Sequence, residues 1–379
     1  MEVYNNQEQI TTNLMHFFLE VSPCLSIPQA KNLSLIIESM IESSSIITSN
    51  IASVFKGNFK LNKPESNEKR VYRFWHNSHI NMENVFDNII QYIFKNFKVK
   101  HEDTKVYISF DHSFNRDDFV SLVVSFSVGK QAIPIYYRCF EADDKTAFSM
   151  DTIKEALTKV HDYFPNCEII FLADRWFGLS DILDFIENIG AKYVIRVKTN
   201  VNVSIDGDSF VSLSDIKPNL VVTKSFENIL FTETQQVKTN LVVTSSKNTD
   251  DPWYLVTNEK TKYAVKHYAK RFGGIEFIFK DQKSNGFNLE KTTTRNIEVF
   301  KKMFGATCVG VVWLTILGAD YVKNKIHYKN KINFYDTKKV HGNIIRDKSL
   351  FRLGKEIFKY LLDTPHKILL KYNFKLYDL

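Results

Sequence analysis

The sequence predicts an α/β protein in which a mixed-sheet core contains a β-rich insertion and is flanked by helical N- and C-terminal regions. The first 100 residues carry apolar positions at helical spacing. From Lys105 to Val197, short runs rich in β-branched and aromatic residues alternate with helical segments, as in an α/β layer. Short apolar runs between residues 200 and 258 then predict the insertion.

Composition narrows the class of protein. The chain has 379 residues, 44% hydrophobic and 25% charged, so two or three domains are expected. The net charge of +7 is compatible with nucleic-acid binding without requiring it. The four cysteines are far apart and form no C-x-x-C pair, which argues against a zinc site or a disulfide framework and favours a reduced, cytoplasmic setting.

Two segments bear on a membrane location. The N-terminus is polar and acidic, so no signal peptide is predicted. Met303 to Ala319 is uncharged, but it is shorter than the roughly 20 apolar residues of a spanning helix and contains three Gly and two Thr. We therefore predict a buried helix there rather than a membrane span.

The N-terminal region is predicted to be helical. Thr48 to Ala52 is a run of capping residues that begins a short helix, and a basic segment follows at Lys69–Trp75. Arg70 and Arg73 are three residues apart and so share one helical face. Two short helices followed by a basic helix resemble a helix-turn-helix DNA-binding domain. An ordinary helical bundle with a solvated basic face fits the pattern equally well.

Two aspartates follow predicted strands of the core. Val106–Phe110 is a strand candidate that ends at Asp111, and Glu168–Ala173 is one that ends at Asp174. Acidic side chains at the carboxyl ends of strands emerge at the rim where α/β sheets bind ligands. A few carboxylates suffice to hold Mg²⁺ beside phosphate oxygens, and two such ions can assist phosphoryl transfer. The alternative is that these residues are turn residues, since Asp is common in turns.

The other elements are predicted from the same patterns. Strands are expected in the core at Phe119–Val128, Ala132–Tyr137 and Tyr193–Val197, and in the insertion at Leu220–Thr223, Ile229–Thr232 and Leu241–Thr244. Helices are expected at Asp151–Phe164 and Leu179–Ile189, and turns at Asp206–Asp208 and Thr249–Pro252.

A second group of polar residues lies between residues 268 and 290. Glu276 and Lys283 are seven residues apart, and Tyr268 and Arg271 are three apart, so each pair would share a helical face. One carboxylate with an arginine, a lysine and a tyrosine could provide a metal ligand and three phosphate contacts. A surface helix stabilised by charge pairs explains the same residues.

Taken in order, these motifs resemble the insertion-sequence-4 family of bacterial DDE transposases, over residues 30 to 360. The matching segments are Phe110–Ser113, Ala132–Pro134, Leu172–Phe177, Tyr193–Lys198, the Y-R-E-K residues Tyr268, Arg271, Glu276 and Lys283, and Gly286–Glu290. The resemblance implies an RNase H-like core that is interrupted by a β-rich insertion between the second Asp and the Glu. The implied organisation is a helical region at 1–100, core segments at 101–199 and 261–320, the insertion at 200–260, and a C-terminal region at 321–379.

The resemblance also implies a mechanism. Asp111, Asp174 and Glu276 would hold Mg²⁺, or Mn²⁺ in its place, and cut DNA at the transposon end to give a 3′ hydroxyl. That hydroxyl would form a hairpin on the opposite strand, which is reopened before strand transfer into target DNA. A homodimer would bring the two ends together in the bacterial cytoplasm, at the nucleoid.

The resemblance also implies DNA contacts. Tyr268, Arg271 and Lys283 would hold the terminal phosphates, with Arg175 beside Asp174 as a further contact. Trp176 could stack on an unpaired base, although packing beside a strand is the more usual role of such a residue. Reading of the end sequence, if it lies in the N-terminal domain, would fall to Arg70 and Arg73.

One interval departs from the family pattern. Four residues separate Arg271 from Glu276 where the family usually has three, which would turn Arg271 by about 100° on a regular helix. Gly273 and Gly274 lie in this interval, and a π-type bulge is the expected accommodation.

The sequence leaves alternative interpretations open for the C-terminal region and for the activity. The basic and aromatic C-terminal region, which includes Lys323, Lys348 and Arg352, would bind DNA or form a dimer, or it is an ordinary solvated surface. A transposase-derived DNA-binding protein without activity is an alternative, although such a relic is expected to lose carboxylates and all three are present. A structure-specific nuclease would share the chemistry of the first step.

Overall fold

The structure is a computed structural model that describes residues 6–55, 64–96, 105–128, 131–219, 222–246, 249–323, 337–340, 343–346 and 348–363. Helices precede the sheet, as predicted: α1 (Asn6–Val21), α2 (Ile27–Ser43), α3 (Thr48–Ser53), α4 (Pro64–Trp75) and α5 (Met82–Asn96). Local sequence explains one of their boundaries: before α2, the backbone N–H of Ser26 donates to Gln29 Oε1 at 2.8 Å, and Pro28 lies in the first turn.

The core is a five-stranded mixed sheet. Its strands are β1 (Lys105–Asn115), β2 (Phe119–Val128), β3 (Gln131–Glu141), β4 (Glu168–Ala173) and β5 (Lys192–Arg196), in the order β3-β2-β1-β4-β5. β2 is antiparallel to β1 and β3, whereas β1, β4 and β5 are parallel. Helices α6 (Met150–His161) and α7 (Ser180–Asn188) connect the parallel strands. This is the RNase H-like arrangement that the resemblance implies.

β3 carries a proline at the edge of the sheet. Pro134 has no N–H to donate, and its strand is bonded on one side only. The register with β2 shifts beside this residue, between Val124 and Ser125. An edge strand with a bulge tolerates the missing donor.

The predicted insertion extends the same sheet. Its strands are β6 (Asn202–Ser204), β7 (Val211–Ser212), β8 (Lys224–Phe231), β9 (Val237–Ser246) and β10 (Thr249–Thr257). They continue the order after β5 as β10-β9-β8-β6-β7, and β10 is antiparallel to β5. The turn at Asp206–Asp208 is present, with Gly207 at a φ of +88°.

Three local predictions about strands are wrong. Asp111 does not end β1, because pairing with β2 continues to Asn115 after pairing with β4 has stopped at Phe110. Thr249–Pro252 is part of β10 rather than a turn, since an irregular register between Thr249 and Trp253 accommodates its proline. A strand at 220–223 is not seen in the described residues Val222 and Thr223, and Leu220 and Val221 lie outside them.

The chain returns to helix after the insertion. These elements are α8 (Thr261–Tyr268), α9 (Ile275–Gln282), α10 (Ile297–Lys323), the hairpin strands β11 (Thr337–Val340) and β12 (Asn343–Arg346), and α11 (Leu350–Asp363). Most of the predicted basic and aromatic C-terminal region lies outside the described residues. Of its described side chains, Lys348 and Arg352 both face Glu356, at 2.5 and 3.9 Å.

Helix α10 is the central helix of the core. By length and composition alone, residues 297–322 could cross a membrane, but 94% of the apolar stretch is buried inside the protein. It packs against α2, α5, α9, α11 and β3. Two glycines allow α10 and α11 to cross at close range: a Cβ on Gly318 would lie 2.0 Å from Leu350 O, and one on Gly354 would lie 1.9 Å from Leu314 O. The buried helix predicted at Met303–Ala319 is confirmed.

Candidate active site

Asp111 and Asp174 lie on neighbouring parallel strands. The register pairs Phe110 of β1 with Ala173 of β4, so the next residues, Asp111 and Asp174, follow at adjacent positions. Each carboxylate is oriented by the backbone that follows it: Asp111 Oδ1 accepts from His112 N at 2.9 Å, and Asp174 Oδ1 accepts from Arg175 N at 2.7 Å. The two predicted aspartates are therefore brought together at one place in the sheet.

Arg271 joins the third carboxylate to this pair. Its Nη1 donates to Glu276 Oε1 at 3.0 Å, and its Nη2 donates to Asp111 Oδ2 at 2.5 Å. The Arg271 side chain is 5% exposed, against 19% for Asp111 and 35% for Glu276. A buried guanidinium thus lies between the first and the third predicted carboxylates.

The extra residue before Glu276 is accommodated by a break in the helix, and the expected π-type bulge is wrong. α8 ends at Tyr268, a single 3₁₀ turn covers Ala269–Arg271, and α9 begins at Ile275. Gly274 precedes α9 with φ and ψ both at −103°. A Cβ at this position would lie 3.2 Å from Lys270 O and 3.4 Å from the Ala132 side chain, so a larger residue would crowd β3. Ending one helix and starting another allows Arg271 and Glu276 to converge.

The electrostatics of the site are dominated by buried acidic groups. Burial raises the pKa of Asp111 to about 6, with further contributions from the charges of Asp174 and Glu276. Attraction to Arg271 and the hydrogen bond from His112 N oppose this rise. For Arg271, burial alone would lower the pKa, but the neighbouring carboxylates raise it overall. The site therefore favours a positive charge between its carboxylates.

Tyr268 is fully buried beside this group. It packs edge-on against Trp253 and Phe272, with ring centroids 5.0 and 5.7 Å away, and those two rings stack on each other at 5.2 Å. Burial raises the pKa of the Tyr268 hydroxyl, and Arg271, Asp174 and Asp111 are among the charges that act on it. Among the described residues, the Tyr268 hydroxyl and Arg271 Nε have no hydrogen-bond partner.

Lys283 lies at the C-terminal end of α9, the helix of Glu276. Its N–H still donates to Phe279 O at 2.9 Å, and the helical backbone ends there with a ψ of −98°. Its Nζ donates to the carbonyl oxygen of Phe114 on β1 at 2.7 Å. Burial lowers the pKa of Lys283. The lysine therefore contacts β1 at a position three residues after Asp111.

The two residues after Asp174 differ in their contacts. Arg175 Nη2 pairs with Asp251 Oδ2 of the insertion at 3.1 Å. Trp176 is 53% exposed, and Lys198 Nζ lies 4.8 Å from the centre of its ring. Packing into the core, the more usual role for a tryptophan at this position, is therefore not what the structure shows.

Arg70 and Arg73 are distant in the chain from the carboxylates and line a separate cavity. Arg70 Nε donates to Asn32 Oδ1 of α2 at 2.6 Å, and Arg73 is exposed. The cavity has a volume of about 390 Å³ and is lined by Gln29, Asn32, Ser66, Arg70, Arg73, Phe74 and Asn77. It contains two basic and several neutral polar side chains, and a role in DNA recognition stays a prediction.

Sequence reasoning missed a lysine ridge, which we define as Lys262, Lys266 and Lys270. The three residues are spaced four apart, the spacing of one helical face, along α8 and the following turn. In the described part of the chain no carboxylate lies within ion-pair distance of them, although Lys270 Nζ lies 4.3 Å from the centre of the Tyr107 ring. Burial and the charge of Lys266 lower the pKa of Lys270. The four-residue spacing of these lysines is visible in the sequence and predicts that they share one helical face.

Arg196 was also missed as part of the site. Its Nη2 pairs with Asp251 Oδ1 at 2.6 Å, and it is one of the charges that act on Tyr268. Asp251 thus connects Arg175 and Arg196. Only the pairing of β5 with β10 brings Arg196 and Asp251 together, and the sequence gives no indication of that pairing.

The metal-binding capacity of the site depends on Arg271. Across the described ranges, no three His, Cys, Asp or Glu side chains are grouped closely enough to hold a metal ion. The guanidinium lies where Asp111 and Glu276 would otherwise converge. Their oxygen donors nevertheless have the chemistry that Mg²⁺ prefers, and Asp111 and Asp174 by themselves match the one or two carboxylates of a typical Mg²⁺ site.

One comparison with known proteins gives a family match over part of the chain. Residues 129–312 match the family model described as transposase DDE domain, a range that includes Asp174 and Glu276 and begins after Asp111. The match supports a transposase of the DDE family. No curated protein has a significant sequence match to the chain.

Two solved structures have more distant similarity. A piggyBac transposase synaptic complex with hairpin DNA has a TM-score of 0.49 at 10% identity, covering 96% of this chain and 81% of that one. An Argonaute from Marinitoga piezophila, in complex with guide RNA and target DNA, has a TM-score of 0.24 at 13% identity, covering 67% and 37%. Both TM-scores are under 0.5.

Proposed function

We propose that this protein is a cut-and-paste DNA transposase that cleaves the ends of its own element and joins them to target DNA. The observation that carries the proposal is the buried Arg271, which bonds to both Asp111 and Glu276 and on which the charge of Asp174 also acts. The burial of Asp111 raises its pKa and is costly to fold, and acidic groups with such a shift concentrate at functional sites. The family match supports the same reaction class.

The residues fit a divalent cation in their chemistry. Asp111, Asp174 and Glu276 would supply hard oxygen ligands to Mg²⁺, with Mn²⁺ as a substitute. The mutual repulsion that helps to raise the pKa of Asp111 would be relieved by any cation, and Arg271 provides that charge in this structure. When bound, such an ion polarises a phosphoryl oxygen and promotes ionisation of an attacking water.

Donors beside the carboxylates would hold the DNA. Arg271 Nε and the Tyr268 hydroxyl are buried without a partner, and a phosphate oxygen would satisfy such donors. Arg271 can bind phosphate in a bidentate manner once it releases a carboxylate. Lys283, Arg175 and the lysine ridge would add positive charge along the backbone.

Hydrolysis at the element end consumes one water, breaks the bond from phosphorus to the 3′ oxygen, and leaves a 3′ hydroxyl and a 5′ phosphate. The 3′ hydroxyl then attacks the opposite strand and gives a hairpin, which is hydrolysed before the hydroxyl attacks target DNA. Two copies of the chain would hold the two ends in one complex, in the bacterial cytoplasm at the nucleoid. A nuclease without strand transfer, or an inactive DNA-binding relative, is the alternative.

Cleavage and strand transfer on DNA that carries the inverted repeats flanking the gene test this function. The full chain with Mg²⁺ should nick the repeat ends and join them to a target plasmid, and Asp174→Asn should do neither while it still binds the repeats. Nicking without joining would favour the nuclease alternative. Equal cleavage by Asp174→Asn would refute the proposed site.

Recognition of the end is proposed to involve the cavity that contains Arg70 and Arg73. Replacing both with Ala should abolish the preference for repeat DNA and leave nonspecific binding intact, because base contacts specify and phosphate contacts do not. A uniform loss of affinity at all sequences would contradict this role.

A further inference from the structure

The lysine ridge lies on the outer face of α8. Lys262 and Lys266 are exposed and Lys270 is half-buried, whereas the opposite face of the helix is buried against strands of the core and the insertion. Within the described ranges, no carboxylate lies within ion-pair distance of these lysines, although the neighbouring Lys105 pairs with Glu259 at 2.7 Å. The ridge therefore carries positive charge that is not neutralised by an ion pair.

Two tyrosine rings support the ends of the ridge. Lys262 Nζ lies 4.9 Å from the centre of the Tyr263 ring, and Lys270 Nζ lies 4.3 Å from the centre of the Tyr107 ring. An aromatic face attracts a cation without cancelling its charge. The rings thus restrict where the two ammonium groups can lie and leave them positively charged.

The lysines of the ridge act on one another. The charge of Lys266, together with burial, lowers the pKa of Lys270, and both lysines also help to lower the pKa of the intervening His267. The direction of these shifts shows that positive charges in this region repel each other. A bound polyanion would relieve that repulsion, as it does for other clusters of lysines that bind DNA.

The ridge follows β1 towards the carboxylates. At the start of α8, Lys105 Nζ of β1 lies 5.9 Å from the centre of the Tyr263 ring. At the other end, Lys270 directly precedes Arg271, which bonds to Asp111. Lys105 and Asp111 are six residues apart on β1, which corresponds to about 20 Å. The ridge is therefore a row of cations that ends at the active site.

Other cations near the site lie on the far side of the carboxylates. Lys283 contacts the β1 backbone three residues after Asp111. Arg175 and Lys198 follow the carboxyl ends of β4 and β5. Positive charge is thus divided between a group beside the residues that precede Asp111 and a group beside those that follow it. A protein that joins two DNA molecules needs two such surfaces, which meet at the reacting groups.

The composition of the ridge suits a duplex of any sequence. Lysines four residues apart on a helix are about 6 Å apart along its axis, so each can reach a different phosphate of one DNA strand. Lysine binds phosphate as a point charge, and phosphate contacts carry no sequence information. An element end has to be recognised by its sequence, whereas DNA that receives an element offers its backbone as the common feature.

We propose that the lysine ridge binds the backbone of the duplex that receives the element, while the cations beyond the strand ends hold the element end. The inference deepens the proposed function, on which it rests, by assigning different surfaces to the two DNA substrates. Binding along the ridge brings the backbone of the receiving duplex to Arg271 and Asp111. The element end is the competing occupant of the ridge.

The test measures binding of the two DNA substrates separately, with the full chain in EDTA so that no strand is cut. One probe is a labelled duplex that ends at the terminal repeat. The other is a labelled duplex of unrelated sequence, added to protein that is saturated with unlabelled repeat duplex. Affinity is measured for each probe over a range of salt concentrations.

Lys262→Gln combined with Lys266→Gln should flatten the salt dependence for the unrelated duplex only. The slope of log affinity against log salt should fall by about 1.8, at about 0.9 for each lost phosphate contact. The loss of affinity between about 50 and about 200 mM salt should then be roughly 12-fold smaller than in wild type. The slope for the repeat duplex should be unchanged.

Lys95→Gln combined with Lys154→Gln is the matched control, because it removes the same charge from α5 and α6. Both slopes of this variant should match those of wild type. Lys262→Arg combined with Lys266→Arg keeps the charges of the ridge and should also match wild type.

Three results would overturn the proposal. A lower slope for the repeat duplex alone would assign the ridge to the element end. Equal reductions for both probes would mean that the ridge does not distinguish the two substrates. Unchanged slopes for both probes would exclude the ridge from DNA binding.

Failure of this inference is distinguishable from failure of the proposed function. Cleavage and joining that depend on Asp174, with an unchanged slope for the unrelated duplex in the double glutamine variant, would reject only the role of the ridge. A lower slope for that duplex, in a chain that cuts no DNA, would reject the catalytic proposal and keep the ridge as a DNA-binding surface.

Discussion

Replacing Asp111 with Asn should stabilise the protein at alkaline pH, although it removes a charged partner of Arg271. The pKa of Asp111 is raised by burial from an ordinary value of 3.8 to about 6. Folding stability that is present below pH 3.8 is therefore lost as the pH rises through 6, because the carboxyl must ionise in an unfavourable place. At 1.36 kcal/mol for each pH unit, this difference of about 2 corresponds to ~3 kcal/mol.

This magnitude is an upper limit for two reasons. The Asp111 side chain is 19% exposed, so water screens part of the interaction. The attraction of Arg271 is already included in the value of about 6, since without it the pKa would be higher still. The neutral amide that Asp111→Asn introduces would resemble the protonated acid, and Arg271 would keep Glu276 as a partner at 3.0 Å.

Urea unfolding in EDTA at pH 4 and pH 8 measures the effect. Asp111→Asn and wild type should have similar unfolding free energies at pH 4, and the variant should be more stable by up to ~3 kcal/mol at pH 8. Asp184→Asn, at an exposed position on α7, is the control and should change stability equally at both pH values. The reasoning fails if Asp111→Asn is less stable than wild type and the loss of unfolding free energy is larger at pH 8 than at pH 4. In that case the pairing with Arg271 outweighs the cost of burial.

Three further predictions concern Arg271, the close crossing of α10 and α11, and the lysine ridge. Arg271→Ala should lower the unfolding free energy in EDTA by about 3 kcal/mol, as expected when one partner of a buried ion pair is removed. Mg²⁺ should restore part of this stability by binding to the carboxylates. An equal loss with and without Mg²⁺ would contradict a site that requires a cation. Gly318→Ala should destabilise the protein by about 1–3 kcal/mol in urea unfolding, because its Cβ would lie 2.0 Å from Leu350 O. An unchanged unfolding midpoint would mean that α10 and α11 can move apart with no loss of stability. Replacing the lysine ridge with three glutamines should reduce the slope of log affinity against log salt for duplex DNA by roughly 0.9 per lysine, and an unchanged slope would exclude the ridge from the interface.

The sequence predicted the core strands because their patterns are local. Runs such as Val106–Phe110 and Glu168–Ala173 are short, apolar and bounded by polar residues, and the aspartates that follow are visible without a structure. The strand that contains Asp111 nevertheless extends to Asn115, because its hydrogen bonds after Phe110 come from β2. The position at which pairing with β4 stops is therefore not the end of β1, because pairing with β2 continues.

The arrangement around Arg271 could not be predicted from spacing. Helical periodicity assumes one continuous helix, and Gly273 and Gly274 interrupt it. After the break, the direction of α9 is set by packing against β3 and α10, which is a property of the whole core. The same limit applies to the contact of Lys283, at the end of α9, with the Phe114 carbonyl, and to that of Arg196 with Asp251 across two strands.

The antiparallel pairing of β10 with β5 has a consequence for how such a chain can change over generations. Leu255 lies opposite Arg196, so the segment of residues 197–254 leaves the core and returns to it at adjacent positions. It is topologically the loop of one long hairpin, and a loop with neighbouring ends tolerates changes in length without disturbing the scaffold beneath it. This segment could be shortened, lengthened or exchanged between relatives while β1, β4 and their two aspartates keep their register.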